Sequence, residues 1–445
     1  MIKKYWDEEI ETMPPSGVAR LESALLSKQI SYLFKQSPFY AAKLNQAGIR
    51  PELIKNRDDL RRIPFLEKAE LAESQKDGSL IGINQCAPLD KIVRIQATGG
   101  TSGEPMRIGM TRNDIADYNE MGARAFWASG CRPGDIVFEC FNYNLYAGGV
   151  ADHMALETLG AATIPYGVGN SKRLLDMLRH MKDEACLYST PSYAIRLAEV
   201  AAENGINPID VGFSKGFFSG EAGMQIPGYR HRVESLWGLK SSDIYGTGEL
   251  GLHCGECEFR QGFHYGATGF VLVEMIHPET AEVMELLDAA VGEFVYTSIQ
   301  REASPLLRMR SHDLMQVFTE PCPCGRTGFR FKFLGRTDDM FKVKGVNVFP
   351  LGVQAVITKL QPRLTGEIRI LLDAPPPIDY SPRVQVEVGR MVPQAAYPAL
   401  VAEATELVAR VCNFTAAIEL IPQGRISSEK KTRRLYRCYE GDNPT

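Results

Sequence analysis

Residues 335–350 read Gly-Arg-Thr-Asp-Asp-Met-Phe-Lys-Val-Lys-Gly-Val-Asn-Val-Phe-Pro. They combine a turn, adjacent carboxylates at Asp338 and Asp339, an alternating Met340/Lys342/Lys344 edge, and Gly345 ahead of 346–349. The pattern predicts a turn feeding a short two-stranded hairpin. The chain before it reads as one large α/β unit and the chain after it as a small α+β unit, so the expected domains are 1–335 and 336–445. A chain of 445 residues should hold more than one core in any case. Charge pairs in a turn usually sit in water. The reason to read a hinge here must come from the rest of the chain.

Outward from that stretch, on its N-terminal side, residues 20–47 have helical spacing, with shorter helices expected at 51–60 and 65–75. A β-like run at 92–96 leads into Ala97-Thr-Gly-Gly-Thr-Ser-Gly-Glu-Pro105, and a second run covers 106–110. A loop of glycines and hydroxyls between strands suits phosphate, because bared N–H groups and Thr/Ser hydroxyls both donate to anions. Helices and strands then alternate: helix 113–129, strand 135–141, helix 148–159, strand 162–165, helix 171–181, strand 186–189, helix 191–203, strand 213–218. That order argues a parallel, helix-covered sheet, with ligands beyond the carboxyl ends of its strands. The turns 141–149 and 218–222 occupy such ends. Strands expected at 270–276, 292–299 and 306–309 read as an antiparallel subdomain. Beyond Pro350 come helix 351–360, strand 366–372, strand 383–388, helix 398–411, strand 416–421 and a basic tail.

The totals exclude several classes. Net charge is −4 with a pI near 6.1, and no basic block suggests nucleic acid. The first ten residues are charged where a signal peptide needs an apolar core, and no stretch approaches a membrane span. The expectation is a cytoplasmic protein. Of ten cysteines, Cys254, Cys257, Cys322 and Cys324 cluster. In a reducing compartment, paired cysteines on separate loops favour a structural zinc site. Cys257 and His264 with Cys322 and Cys324 make one possible set, and Cys254 in place of His264 makes another.

Five stretches now form an ordered series: 98–105, 218–222, 243–249, 306–314 and 335–350, followed by the lysine tail. In order and spacing they resemble the acyl-adenylate-forming superfamily, and most closely the phenylacetate–coenzyme A ligase family. Asp243–Gly246, the Cys-Pro-Cys-Gly-Arg run at 322–326 and the run at 346–350 carry the resemblance to that branch. It covers about residues 20–435.

The resemblance implies roles for particular residues. Thr98, Gly99, Gly100, Thr101, Ser102 and Gly103 would hold the ATP triphosphate. The family usually has Lys where Glu104 stands, so Glu104 should point away. Gly220, Glu221 and Ala222 would lie against adenine, with Tyr245 packing there among Asp243, Gly246 and Thr247. Glu249 would ligate Mg²⁺, a hard cation that takes carboxylate oxygen. Asp313 would accept from both ribose hydroxyls, and Arg336 would face ribose and phosphate. Lys431 would bridge the acid and the α-phosphate. Its rival is Lys430, which stands where the family commonly has Gly. Phe141, Tyr143, Tyr146, Ala147 and Gly149 resemble the aryl-acid wall. Relatives with a matching pattern favour His264 as the fourth zinc ligand.

The implied reaction is AMP-forming ligation of an aromatic carboxylate to coenzyme A. The small C-terminal domain would pivot about Asp338, with Asp339 a salt-bridging neighbour, carrying Lys431 to the ATP site and away. Expected ligands are ATP, Mg²⁺, coenzyme A, structural Zn²⁺ and a small carboxylic acid; a homodimer is left open. Two other readings stand beside this one. The acceptor could be a carrier protein or an amine. Alternatively, the chain could be a silent nucleotide- or zinc-binding homologue.

Overall fold

The computed structural model describes residues 3–76, 79–98, 105–426 and 432–444. The loop residues 99–104, including Glu104, and the segment 427–431, with Lys430 and Lys431, lie outside them. The chain is mixed α/β and divides into two compact units: residues 1–167 with 242–332, and residues 168–241 with 333–445. Among the described residues no helix is long and apolar enough to cross a membrane.

In the first unit, the helical pattern of 20–47 resolves into two helices, Pro15–Gln36 and Pro38–Gln46. Pro38 forces the break. Ser37, ahead of it, is extended, and its hydroxyl accepts from the Tyr40 N–H. The helix expected at 51–60 is instead two 3₁₀ turns, Pro51–Leu53 and Arg57–Arg62. Between them Asn56 is extended and accepts from the Asp58 and Asp59 N–H groups, an alternative to helical bonding.

Strands Arg94–Ala97 and Arg107–Met110 form the hairpin on either side of the Gly-rich loop. Ile136–Glu139 and Ala162–Pro165 pair in parallel, joined by helix Ala147–Leu159. The next subdomain is antiparallel, as expected. Val283–Met284, Val271–Ile276, Val291–Ser298 and Met309–Phe318 pair in that order. Lys240–Thr247, Gly251–Glu256, Phe263–Tyr265 and Arg330–Arg336 make a second run. The strand expected at 306–309 starts only at Met309. Arg308 has φ +50 and turns inward, where its guanidinium takes Glu274 at 2.9 Å on both arms.

Helix Arg112–Ala128 lies close on strand Gly251–Glu256 because the interface is built of small residues. A Cβ at Gly255 would sit 2.2 Å from the Ala125 carbonyl oxygen; toward its other neighbour, helix Ala147–Leu159, a Cβ at Gly122 would sit 2.5 Å from the Ala155 methyl.

In the second unit, Ala185–Ser189 and Phe213–Phe218 pair in parallel around helix Pro191–Glu203. The chain after Pro350 forms a four-stranded sheet in the order Ala417–Pro422, Arg383–Val388, Leu364–Leu372, Leu435–Arg437. Its central pair is antiparallel and its outer pairs parallel. Helices Pro350–Thr358 and Tyr397–Cys412 cover a core that includes Val353, Ile357, Ile368, Ile370, Val384, Val386 and Val408. The hairpin read from 335–350 is present, pairing Phe341–Val343 with Val346–Val348. Lys344 and Gly345 at its tip have φ of +48 and +85. Positive φ at both central positions is the turn that matches strand twist, and glycine adopts it without a Cβ clash.

Two glycine substitutions should therefore act in opposite directions. Gly255→Ala forces a methyl into backbone and should cost about 1–3 kcal/mol. Exposed Gly352, in helix Pro350–Thr358 with open space at its Cβ, should gain about 0.5–1 kcal/mol as Gly352→Ala. Urea unfolding of both variants checks this, and shifts of the same sign would contradict the packing described.

Candidate active site

The first unit brings the root of the Gly-rich loop and the turn carrying Glu249 together. Thr98 is buried; its N–H donates to the Met106 carbonyl at 3.0 Å, closing the base of the loop. Its hydroxyl has no partner among the described residues. Gly248 lies directly against it: a Cβ there would be 3.1 Å from the Thr98 Cα. The next residue, Glu249, is fixed through its own carbonyl. That oxygen accepts from the Tyr118 hydroxyl and, at 2.7 Å, from Arg301. Arg301 also covers the Tyr118 ring at 4.6 Å. The Glu249 carboxylate meets the Lys68 ammonium at 2.8 Å. A carboxylate is the oxygen ligand that a hard cation such as Mg²⁺ takes. The Lys68 ammonium supplies positive charge at the same oxygen.

The aromatic turn is tied to the same root. Ala97 donates to the Leu145 carbonyl at 2.8 Å and bridges Tyr146. Gly149 lets the start of helix Ala147–Leu159 fold back on this turn, since a Cβ would meet the Asn142 oxygen at 2.6 Å. Ala147 is buried, Phe141 and Tyr143 are half-buried, and Tyr146 is exposed. The Tyr143 hydroxyl donates to the Glu139 carboxyl, which is wholly buried. His153 Nδ1 stands 3.3 Å from the same Glu139 oxygen and 3.1 Å from the Tyr143 hydroxyl. Its Nε2 reaches Glu157 at 3.1 Å. Burial, and then the Asp152 carboxylate, raise the Glu139 pKa to about 9.

Tyr245 and Asp313 form a pair, with the Tyr245 hydroxyl donating to Asp313 Oδ2 at 2.5 Å. The ring sits among His253, Phe263 and Phe331. Burial, and then the Asp313 carboxylate, push the Tyr245 hydroxyl far above its usual range, so it stays a donor. His312, just before Asp313, holds φ +59 and reaches Glu67 with Nε2 at 2.8 Å. Asp243 is buried, and its N–H donates to Glu256 at 3.3 Å. Gly246 is held close: a Cβ would meet the Gly251 oxygen at 2.5 Å. Thr247 Oγ1 accepts from the Leu250 N–H at 3.3 Å.

The second unit holds Gly220, Glu221, Ala222, Arg336 and Asp338. Arg336 and Asp338 form a two-pronged ion pair at 2.8 and 2.6 Å, and the Asp338 carbonyl accepts from Arg437 at 2.8 Å. Gly99, Gly100, Thr101, Ser102, Gly103 and Lys431 fall outside the described residues.

No family model matches the chain. The chain is 34% identical to the phenylacetate–coenzyme A ligase of Thermus thermophilus, over 79% of this chain and 78% of that protein. It belongs to the phenylacetate–coenzyme A ligase family. The family's reaction is AMP-forming ligation of an acid to a thiol. The Pseudomonas putida phenylacetate–coenzyme A ligase is 30% identical over 80% of this chain and 78% of its own. A crystal structure of 2-hydroxyisobutyryl-CoA ligase, in the postadenylation state with R3-HIB-AMP, superposes with a TM-score of 0.90 at 30% identity. It covers 99% of this chain and 94% of that one.

One further cluster of this family member lies in the first unit. Cys257, His264, Cys322 and Cys324 are all buried, with their ligand atoms within 4.8 Å of one another. Cys257 Sγ is 3.7 Å from Cys322 Sγ, and His264 Nε2 is 3.3 Å from Cys257 Sγ and 3.4 Å from Cys324 Sγ. Cys254, also buried, is not in the group. The N-terminal segment braces the loop that carries two of these thiols. Tyr5 donates to the Cys324 carbonyl at 3.1 Å, and Arg326 pairs with Glu11 at 2.6 Å.

Sequence reasoning missed Lys68, Glu139, His153, Tyr5 and Glu11. Each is a lone polar residue whose partner is distant in the chain or on another element, so no local motif marks it.

The Glu139 environment has a testable sign. An unfolded Glu titrates near ~4.3. The folded carboxyl holds its proton to about pH 9. Its stabilising contribution is therefore complete below pH ~4 and is lost as pH rises toward 9. Glu139→Gln removes this loss. Melting temperatures should coincide at pH 4 and diverge in the variant's favour up to pH 9. A gap that does not change with pH would contradict the assignment.

Proposed function

We propose that this chain activates an aryl or arylacetic acid as its acyl adenylate and passes the acyl group to coenzyme A. The observation that carries the reading is the seating of Gly248 on Thr98, which joins an anion-cradle loop to an acid-bearing turn. In the first half-reaction a carboxylate oxygen of the acid attacks the α-phosphorus of ATP, and pyrophosphate leaves. Positioning and neutralisation of developing charge dominate such a step. Thr98 and the loop donors hold the phosphates. Lys431 supplies a compact ammonium between acid and α-phosphate. Mg²⁺ on Glu249 would neutralise phosphate charge when bound. Asp313, oriented by Tyr245, accepts from the ribose hydroxyls. In the second half-reaction the thiolate sulfur of coenzyme A attacks the acyl carbon, and AMP leaves.

The aromatic preference rests on Phe141, Tyr143 and Tyr146 sharing one turn with the small residues Ala147 and Gly149, a composition suited to holding a flat ring. Residues 336–445 act as the mobile domain, with Asp338 at the pivot, because the lysine must withdraw before the thiol enters. The Cys257/His264/Cys322/Cys324 group holds a structural Zn²⁺. A tetrahedral zinc site spaces sulfur and nitrogen ligands roughly 3.5–3.8 Å apart, and the Cys257–Cys322, His264–Cys257 and His264–Cys324 separations of 3.7, 3.3 and 3.4 Å lie close to that. It braces loops and takes no part in the chemistry.

A pyrophosphate-release screen across aryl, arylacetic and aliphatic acids, with and without coenzyme A, tests the substrate. Release should be fastest with aromatic acids, and thioester should form with coenzyme A. Exclusive use of aliphatic acids would refute the aromatic reading, and adenylation without any thioester would point to another acceptor. Lys431→Ala should lower adenylation at least a hundredfold; if Lys430→Ala does so instead, the lysine is misassigned. Purified protein should contain close to one zinc per chain, lost in Cys324→Ser. Less than a tenth of an equivalent in the wild type would sink the metal site.

A further inference from the structure

The stretch 426–432 begins and ends on described residues, Ile426 and Thr432, that are each held by a buried carboxylate of the second unit. At its start, the Ile426 N–H donates to Glu387 Oε1 at 2.5 Å. Glu387 is 1% exposed and is steadied by the Thr365 hydroxyl at 3.2 Å. At its end, the Thr432 N–H donates to Glu221 Oε1 at 2.6 Å. Glu221 is itself fixed by a different element. Ser192, in the first turn of helix Pro191–Glu203, gives its N–H to Glu221 Oε2 at 3.2 Å and its hydroxyl to Oε1 at 2.8 Å. A carboxylate at a helix N-terminus is stabilised by the unpaired N–H groups and the helix dipole. Glu221 thus stays in place whether or not the tail is docked, with one oxygen turned to a single backbone donor next to Lys431.

Building on the roles of Lys431 and the hinge proposed above, we propose that Glu221 is a positioning residue of the adenylation step. Its carboxylate docks the Thr432 N–H and thereby sets the neighbouring lysine, and the same bond must open before thioester formation. This differs from the adenine-side role implied by the family motif, because the side chain is engaged by Ser192 and Thr432. A single charge-assisted hydrogen bond suits a reversible dock: strong enough to orient, weak enough to release.

The test measures the half-reactions separately, with phenylacetate for pyrophosphate release and supplied phenylacetyl-AMP plus coenzyme A for thioester formation. Glu221→Ala should lower the adenylation kcat at least tenfold, with KM for the acid within threefold and thioester formation within twofold. Glu221→Gln, which keeps a carbonyl acceptor, should recover part of the loss. If Glu221→Ala does not fold, Thr432→Pro removes the donor and leaves the Glu221–Ser192 bonds, and the same split is expected. An equal fall in both half-reactions, or no fall in a folded variant, would overturn the proposal and leave Glu221 as a helix cap only. Lys431→Ala is measured alongside. If it adenylates normally, the lysine assignment fails and this proposal with it. If it is inactive while Glu221→Ala is unaffected, only the role of Glu221 fails.

Discussion

The near-contact of helix Arg112–Ala128 with strand Gly251–Glu256 is the constraint on which the candidate site depends. Gly255 is bare because the Ala125 carbonyl occupies the space of its Cβ. That approach delivers Tyr118 to the turn at 247–250, where its hydroxyl and Arg301 both hold the Glu249 carbonyl. Gly251, with φ +69 and the Tyr118 ring 2.8 Å from its would-be Cβ, completes the fit. A backbone carbonyl held by two buried donors has little freedom, so the Glu249 side chain leaves the turn in a set direction. Gly248 then admits Thr98. Packing between apolar and small residues, remote from any reacting atom, is what sets the acid beside the loop.

Charge is handled in a consistent way around this frame. Acids that face the candidate nucleotide site have a partner already in place: Lys68 for Glu249 and the Tyr245 hydroxyl for Asp313. Prepaid orientation of this kind reduces what must be ordered when a polyanion arrives. The strand that carries Asp313 is fastened upstream by Arg308 on Glu274 and Arg310 on Glu293, both two-pronged. Glu139 is different: burial, and then the Asp152 carboxylate, keep it as a proton-bearing group at neutral pH, against the pull of the Tyr143 hydroxyl toward the ionised form.

Much of this was readable from the chain. The hairpin after Arg336 followed from Gly345 and the alternating edge, because turn chemistry is local. The alternation of helices and strands from 113 to 218 followed from hydrophobic period, and the Cys257/Cys322/Cys324 group from spacing. Pro38 split a helix that periodicity alone read as continuous, and Asn56 replaced another with two tight turns. Leu435–Arg437 went unread because a three-residue strand in a basic tail carries no pattern; it exists only through parallel pairing with Ile370–Leu372. Lys68 and His153 were invisible for a related reason. Their meaning lies in Glu249 and Glu139, which are set by tertiary packing and not by sequence neighbours.

The central claim is that the acid passes through a mixed anhydride with AMP. The direct measurement uses an aromatic acid labelled with ¹⁸O in both carboxylate oxygens, followed by mass analysis of the nucleotide product. One labelled oxygen should appear in AMP, because the carboxylate oxygen that attacks the α-phosphorus departs with it when the thiol takes the acyl group. Label in inorganic phosphate with ADP as product, or unlabelled AMP from a complete turnover, would contradict the account.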